Sequence, residues 1–502
     1  MKRYLVALDE GTTSARAAVY DVQSNRILRV VNQPFRQIYP QAGWVEHDIN
    51  ELYAAQIKAL NEAVILAGIR PGEIISLGIT NQRESVVLWD DRTGEPLCNA
   101  IVWQCRRTAD ACRRLRSEGY GEMIQARTGL IPDAYFSATK IAWILRHCAG
   151  AGELLKAGHL KAGTIDTYLV WRLTDGRQHV TDVTNASRTM LYNIHTMDWD
   201  AELLRLFGIP REILPAVIDS DGSAGETNVL GCTIPIFGIA GDQQAAMFGQ
   251  CCFQPGMAKN TYGTGCFLLM NIGEKPAVCE KNLLTTVAYR AGGRTAYALE
   301  GSVFNAGSAV QWLRDELQII GSAEDTQRLA LSVPDTGGVY VVPAFTGLGA
   351  PYWDMNARGT IVGITRGTGR AHLTRAVLEA MAYSTLDIAR EMSAGCRTPV
   401  IELSCDGGGS NNDFIMQFQA DMLRCSIVRP ACTEVTALGA IYLSGLGSGV
   451  FKNLEEISAL KNEESVFVPR MEEGERERLY RGWRRAVERS LNWENCCEQE
   501  NL

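Results

Sequence analysis

Residues 4–22, YLVALDEGTTSARAAVYDV, decide how the rest of the chain is read. The apolar run 4–8 has strand character, and residues 13–22 read as a second strand. Asp9-Glu10-Gly11-Thr12-Thr13 lies between them. Gly11 permits a tight turn and a close backbone approach to a ligand. Two Thr hydroxyls and the turn amides place several donors on one concave surface, which suits phosphate. Asp9 stands at its mouth, where a carboxylate repels phosphate unless a cation lies between. Mg2+ is such a cation, since it takes one or two carboxylates together with phosphates. Taken alone, the stretch fits an ordinary hairpin with a polar turn equally well.

The device recurs. Residues 257–272, MAKNTYGTGCFLLMNI, again read as strand, Gly-Thr turn and strand, with Tyr262-Gly263-Thr264-Gly265 at the turn. A third turn, Asp406-Gly407-Gly408-Gly409, follows the strand-like run 400–405. Two hairpins in corresponding halves and an Asp-Gly-Gly turn resemble the nucleotide clamp of the actin, Hsp70 and sugar-kinase superfamily. No Gly-Lys dipeptide and no G-x-G-x-x-G occur, so neither a Walker loop nor a dinucleotide fingerprint competes with that reading.

The 502 residues suit two domains, predicted as 1–250 and 251–502 with Pro255-Gly256 near the boundary. A net charge of −8 argues against a general nucleic-acid binder. No membrane span is predicted, because the uncharged stretch 336–353 is broken by Gly and Pro. No secretory leader is expected, since Asp9 interrupts the first apolar run after five residues. Fifteen cysteines without a C-x-x-C pair read as free thiols in a reducing, cytoplasmic setting. Cys496 and Cys497 are the ones expected to be exposed.

Chemistry-bearing residues collect at predicted strand ends. The run 74–80 delivers Asn81-Gln82-Arg83-Glu84, and the run 235–240 delivers Gly241-Asp242-Gln243-Gln244. Ligands of open α/β sheets gather at such ends. A helix over 303–317 sets Gly307 and Gln311 one turn apart. A single strand is predicted over 287–299. The small-residue helix 434–443 is expected to pack against a planar ring. Trp483 and Trp493 are expected to dock the charged, helical last ~50 residues. The polar loop Asn185-Ala186-Ser187-Arg188 receives no role from physics alone.

With these elements placed, the chain resembles the FGGY carbohydrate-kinase family from residue 4 to about 493. YFSATKIAW (135–143) matches one family signature, and GTIVGI (359–364) through 372–379 matches the second. GITNQRE (78–84), AIVWQCRRTA (100–109), DVTNASRTML (182–191), GIAGDQQAAMFGQ (238–250) and NTYGTGCF (260–267) point to its glycerol-phosphorylating branch. The resemblance implies two actin-like (ribonuclease H-like) α/β domains, each a mixed sheet flanked by helices, with the site in the cleft between. It implies ATP-dependent phosphorylation of glycerol, a Mg2+ ion and a homo-oligomer, dimer or tetramer.

Carried over residue by residue, it implies that Arg83 and Glu84 bind the triol hydroxyls and Tyr135 adds a phenol. Trp103 and Phe267 would pack on the carbon chain. Asp242 would be the catalytic base, with Gln243 beside it, and Asp9 and Asp242 would face the metal. Thr12, Thr13, Ser14 and Arg16 would hold phosphates from one half, and Thr264 and Gly265 from the other. Gly307, Gln311, Gly408 and Asn412 would frame the nucleotide. Three departures stand out. Glu10 replaces the family's Gln and is expected to point away from the phosphates. Asp413 ends DGGGSNND. The segment 221–235 has neither the Arg nor the His that relatives use for bisphosphate or phosphorylation control. From the residues alone, a kinase for another polyol or ketose and an actin-like or chaperone-like ATPase remain as alternatives.

Overall fold

The computed structural model describes residues 2–277 and 283–494, apart from the side chains at 463 and 464. Cys496 and Cys497 lie outside the described residues. The first half is built on strands β1 (Tyr4–Glu10), β2 (Ser14–Asp21), β3 (Arg26–Pro34), β4 (Ile74–Asn81), β5 (Ser223–Thr227) and β6 (Ile234–Gly241), in the spatial order β5-β6-β4-β1-β2-β3. β1 runs antiparallel to β2 and parallel to β4, and β4 runs parallel to β6. The second half repeats the theme with β7 (Met257–Tyr262), β8 (Cys266–Gly273), β9 (Leu284–Ala291), β10 (Arg294–Val303), β11 (Glu402–Asp406), β12 (Ser426–Pro430) and β13 (Glu463–Phe467), ordered β9-β10-β8-β7-β11-β12-β13. The chain is thus two mixed sheets flanked by helices, each opened by an antiparallel hairpin, as the sequence implies.

The expected single strand 287–299 is instead the hairpin β9–β10, because Gly292 and Gly293 both take positive φ and turn the chain. Helices that bear on the site are α1 (Ile49–Leu66), α2 (Ser137–His147), α3 (Asp242–Gly249), α4 (Gly307–Asp315), α5 (Arg370–Cys396), α6 (Val435–Gly447) and α7 (Glu473–Ser490).

β1 is covered on both faces, which is why its run is nearly all apolar. Val6 and Leu8 join the core under α1. Leu5 and Ala7 join a second core that also holds Ala437, Ala440 and Ile441 of α6. So α6, although late in the chain, lies across the first sheet. Its small residues serve that contact and not a planar ring. A Cβ on Gly439 would sit 1.8 Å from the Ala245 carbonyl oxygen of α3. A Cβ on Gly78 of β4 would sit 2.3 Å from the Ala440 carbonyl oxygen. Ser76 and Ser444 hydrogen-bond across the same seam at 2.6 Å. At the far end, Trp483 is buried in the second half and its indole N–H donates to Asp387 at 2.8 Å. Trp493, in contrast, is 58% exposed and lies past the end of α7 at Ser490, where the Asn492 and Glu494 amides on either side of it donate to Asp354 and to the Asn356 carbonyl.

Candidate functional site

The Gly11–Thr13 turn is held from outside. Gln82 Nε2 donates to the Gly11 carbonyl at 3.0 Å, Gln37 Nε2 to the Thr12 carbonyl at 3.0 Å, and the Phe35 amide to the Thr13 carbonyl at 3.4 Å. With its carbonyls taken, the turn offers an incoming anion donors rather than acceptors. Trp103 Nε1 donates to Thr12 Oγ1 at 3.0 Å, so the Trp103 indole is pinned to this turn.

Strand alternation separates the two carboxylates of Asp9-Glu10. Asp9 shares its face with Ser14 and Arg16, and Arg16 Nη1 stands 3.9 Å from Asp9 Oδ2 and 3.6 Å from Glu434. Burial pushes the Asp9 carboxyl up to about 7, against Arg16 and with help from Asp242. Glu10 points the other way, toward the α1 side, as expected from its departure from the family's Gln. It is fully buried, and neither oxygen has a hydrogen-bond partner among the described residues. Burial, and then Asp9, push its carboxyl well above the usual range. An acid whose folded pKa is raised costs no stability below its unfolded value of about 4.3 and lowers stability as pH rises above it. Glu10→Gln is therefore expected to match the parent near pH 4. Above that it should gain roughly 1.4 kcal/mol per pH unit until the buried carboxyl ionises. Denaturant midpoints across pH 4–8 check this, and equal midpoints throughout would refute it.

Arg83 and Glu84 follow β4 and are almost fully buried. Arg83 Nη1 donates to Glu300 Oε2 at 2.6 Å and to Gln244 Oε1 at 3.2 Å; Nη2 donates to the Tyr135 hydroxyl at 3.2 Å. Its Nε lies 3.3 Å from Asp242 Oδ1. Gly241 makes room for that stem, since a Cβ there would meet Arg83 Cγ at 2.6 Å. Glu84 Oε1 accepts from Arg188 Nε at 2.6 Å, and Arg188 Nη2 donates to Glu300 Oε1 at 2.9 Å. Burial would raise the Glu300 carboxyl, but Arg188 and Arg83 outweigh it and hold it down to about 2. Burial pushes the Glu84 carboxyl up, opposed by Arg83 and Arg188.

Arg188 and Glu300 were missed by the sequence reading. The signal was available: Glu300 is the one carboxylate within the apolar run YALEG, and Arg188 ends the unplaced Asn-Ala-Ser-Arg loop. That loop belongs here because Asn185 and Asn81 exchange amide hydrogen bonds at 3.0 Å each. Lys140, also buried, donates to the carbonyls of Glu84 and Phe136 at 3.3 Å each and so fixes where α2 begins.

Trp103 and Tyr135 face each other with ring centroids 5.5 Å apart. Phe267 on β8 pairs with Ser302 and Leu269 with Glu300, so Phe267 shares a sheet face with Glu300. Asp242 begins α3 at the end of β6; its side chain is 32% exposed, and its Oδ1 accepts from the Gln243 amide at 2.8 Å. Gln243 Oε1 accepts from the buried Lys259 of β7.

On the second hairpin, Thr264 is exposed while Gly265 is packed, its absent Cβ 2.4 Å from the Val303 carbonyl oxygen. Gly307 opens α4 against the same turn: its amide donates to the Gly263 carbonyl at 3.0 Å, and a Cβ would strike that oxygen at 2.5 Å. Gln311 is exposed one turn along α4. Gly408 is open, with nothing within 4 Å of where its Cβ would stand. Asn412 has both amide ends engaged, Nδ2 donating to Thr326 Oγ1 at 3.1 Å and Oδ1 accepting from the Ile415 amide at 3.2 Å. It caps the helix 413–423 that follows the Gly408 turn. Among the described residues no group of three or more His, Cys, Asp or Glu side chains could hold a metal alone. Asp242 adds to the cost of ionising Asp9, which fits a cation held near both carboxylates together with a ligand's phosphates.

These features have counterparts in known proteins. The chain matches the FGGY family of carbohydrate kinases, N-terminal domain over residues 4–249 and C-terminal domain over 258–447. It is 56% identical over 494 residues to "Glycerol kinase 2" of Thermotoga maritima, covering 98% of this chain and 99% of that one. It is 54% identical to a glycerol kinase of Symbiobacterium thermophilum at the same coverage. Its fold is similar to the crystal structure of Plasmodium falciparum glycerol kinase with ADP, with a TM-score of 0.93 and 35% identity over 97% of this chain and 98% of that one. A ligand-bound xylulose kinase from Lactobacillus acidophilus shares the fold at a TM-score of 0.86 and 23% identity, over 96% and 97% of the two chains. Paired hairpins, a polar cluster that joins Arg83 to Asp242, and identity over nearly the whole length agree, and the chain belongs to the FGGY family of carbohydrate kinases.

Proposed function

We propose that the chain transfers the γ-phosphoryl group of ATP to glycerol, giving sn-glycerol 3-phosphate and ADP. The observation that carries this is Arg83, held by Glu300, Tyr135 and Gln244 beside Asp242, with the Trp103 ring against Tyr135. Such a cluster of donors and acceptors beside an aromatic pair fits a short carbon chain bearing adjacent hydroxyls. The relatives' names, glycerol kinase in each case, support the same substrate.

In this reading Arg83, Glu84 and Tyr135 orient the hydroxyls, while Trp103 and Phe267 pack on the carbons. Asp242 accepts the proton of the attacking hydroxyl, with Gln243 fixed beside it by Lys259. The hydroxyl oxygen bonds to the γ-phosphorus as the bond to the ADP oxygen breaks. Thr12, Thr13, Ser14 and Arg16 hold phosphates from one side, Thr264 and Gly265 from the other. Gly307, Gln311, Gly408 and Asn412 frame the nucleotide. Asp9 and Asp242 would hold Mg2+, which would neutralise charge on the phosphates. Phosphoryl transfer needs mostly positioning and charge stabilisation, and these residues supply both. We place the domain division at 1–250 and 251–502. A homo-oligomer, dimer or tetramer, is carried by the resemblance, and a cytoplasmic setting fits the free thiols of the described residues. No helix among the described residues is long and apolar enough to cross a membrane.

The test is ADP release over glycerol, dihydroxyacetone, erythritol, xylulose and gluconate. Glycerol is expected to exceed xylulose by at least about tenfold in kcat/KM, because each misplaced or unpaired polar group costs ~1–3 kcal/mol. Equal or better turnover of xylulose would overturn glycerol while leaving the family intact.

A further inference from the structure

The first turn of α3 carries Asp242, yet it is clasped from the second half. Gln243 Oε1 accepts from Lys259 Nζ of β7, and Gln244 Nε2 donates to Thr286 Oγ1 of β9 at 3.2 Å. The other end is tied as well. Gln250, just past α3, donates through Nε2 to Asp406 Oδ2 of β11 at 2.5 Å. Within this set Lys259 is fully buried, and a buried ammonium is costly unless it is paired. Burial disfavours its charge, while Asp406 and then Asp242 favour it. An apolar side chain of similar length would fill the space without burying a charge, but it could not hold Gln243. Lys259 Nζ also donates to Thr261 Oγ1 at 3.0 Å. Thr261 lies opposite Asp406 in the β7–β11 ladder and shares the Lys259 face of the strand. One ammonium therefore spans the strand that leads to the Thr264 turn and the residue next to Asp242. The Gln243 amide donates to Asp242 Oδ1 at 2.8 Å, so a shift of Gln243 moves the carboxylate with it.

We propose that Lys259 is a positioning residue for the base: through Gln243 it holds Asp242 in the orientation that receives the acceptor hydroxyl, and it does so from the half that carries the second phosphate turn. The inference rests on the phosphoryl-transfer reading above and adds to it which group aims the base. No bond of the reaction is made to Lys259. Removing its N–H donors frees the Gln243 carboxamide, and the first turn of α3 loses its tie to β7. A misplacement of about 1 Å at a reacting group costs on the order of 10²-fold in rate. The loss falls on kcat, because Arg83, Glu84 and Tyr135, proposed to bind the hydroxyls, keep their own contacts with one another and with Arg188 and Glu300.

The test uses the full chain with Lys259→Met, Gln243→Leu and the two combined, assayed with ATP and whichever acceptor of the panel above turns over fastest. That choice keeps the two readings apart, since a different best acceptor would overturn glycerol and leave this comparison standing. Lys259→Met is expected to lower kcat about 10²-fold. KM for the acceptor and a separately measured nucleotide Kd should stay within about fivefold of the parent. In the Gln243→Leu background the same substitution should lower kcat by less than about threefold, because residues that act through one another do not add. Lys259→Leu serves in place of the Met variant if melting shows the latter misfolded. The proposal is overturned if a folded variant keeps kcat within about threefold of the parent, or if the loss appears in nucleotide Kd instead. It is equally overturned if kcat falls by the same factor with and without the Gln243 carboxamide, as a merely structural role would give.

Discussion

Asp242→Asn is expected to lower kcat for glycerol by about 10²–10⁴-fold, the range for a positioned acid–base group, with little change in nucleotide affinity. The geometry says why a near-isosteric change should cost so much. Both contacts made by this carboxylate, from Arg83 Nε at 3.3 Å and the Gln243 amide at 2.8 Å, fall on Oδ1. Oδ2 is the oxygen left for a substrate hydroxyl. In the Asn variant the carbonyl oxygen keeps the Oδ1 partners, because both are donors. The Nδ2 amide is then left at the reacting position, a donor where an acceptor is needed. Thr12, Thr13 and Thr264, proposed to hold the phosphates, stand in the β1–β2 and β7–β8 turns, which the substitution leaves unchanged. The measurement is kcat for glycerol beside a separate nucleotide Kd, with folding checked by melting. A folded variant within a few-fold of the parent would remove Asp242 from the base role and make Asp9 the next carboxylate to substitute.

Local signals brought the two hairpins, the strand-end motifs and most helices within reach of the sequence. Residues 137–147 read as helix and are one, because Ile141 and Ile144 turn inward at helical spacing while Arg146 and His147 close the last turn. Arg83 and Asp242 were legible because each follows an apolar run that must end at an edge of the sheet. Glu300 was not, because its meaning depends on Arg83, 217 residues away, and on a β9–β10 turn that the apolar run concealed. The role of α6 was misjudged for a related reason. Small residues announce a close approach but not what approaches, and here it is backbone of β4 and α3. Asn412 shows the reverse problem, since its position matches the family while its amide is taken up by Thr326 and by the helix it caps.

Glu300→Gln is expected to destabilise the fold at pH 7 by about 3 kcal/mol. Glu300 comes from the second half and is fully buried, yet it accepts from two guanidinium groups of the first half, Arg83 and Arg188. Neutralising it leaves those two buried cations sharing Glu84, with the partly exposed Asp242 beside Arg83 alone, and Arg83 already works against Arg188. Breaking such a buried arrangement by removing one charge costs ~3–5 kcal/mol. The pKa gives a second route to the same size. A carboxyl held at about 2, against an unfolded value of about 4.3, stabilises by ~3 kcal/mol once both states are ionised. The sign fixes the window. The folded pKa is depressed, so the contribution is complete above about pH 4.3 and is lost as pH falls through about 2. The parent-minus-variant difference in denaturant stability should therefore be flat from pH 7 to about 5 and shrink below 4. KM for glycerol should rise as well, because the single Gln oxygen can accept from only one arm of Arg83, which then loses either its bond at 2.6 Å or its bond at 3.2 Å. A difference that stays constant down to pH 2 would mean that the Glu300 carboxyl has the same pKa folded and unfolded, and the depressed pKa of an ionised bridge between the halves would have to be abandoned.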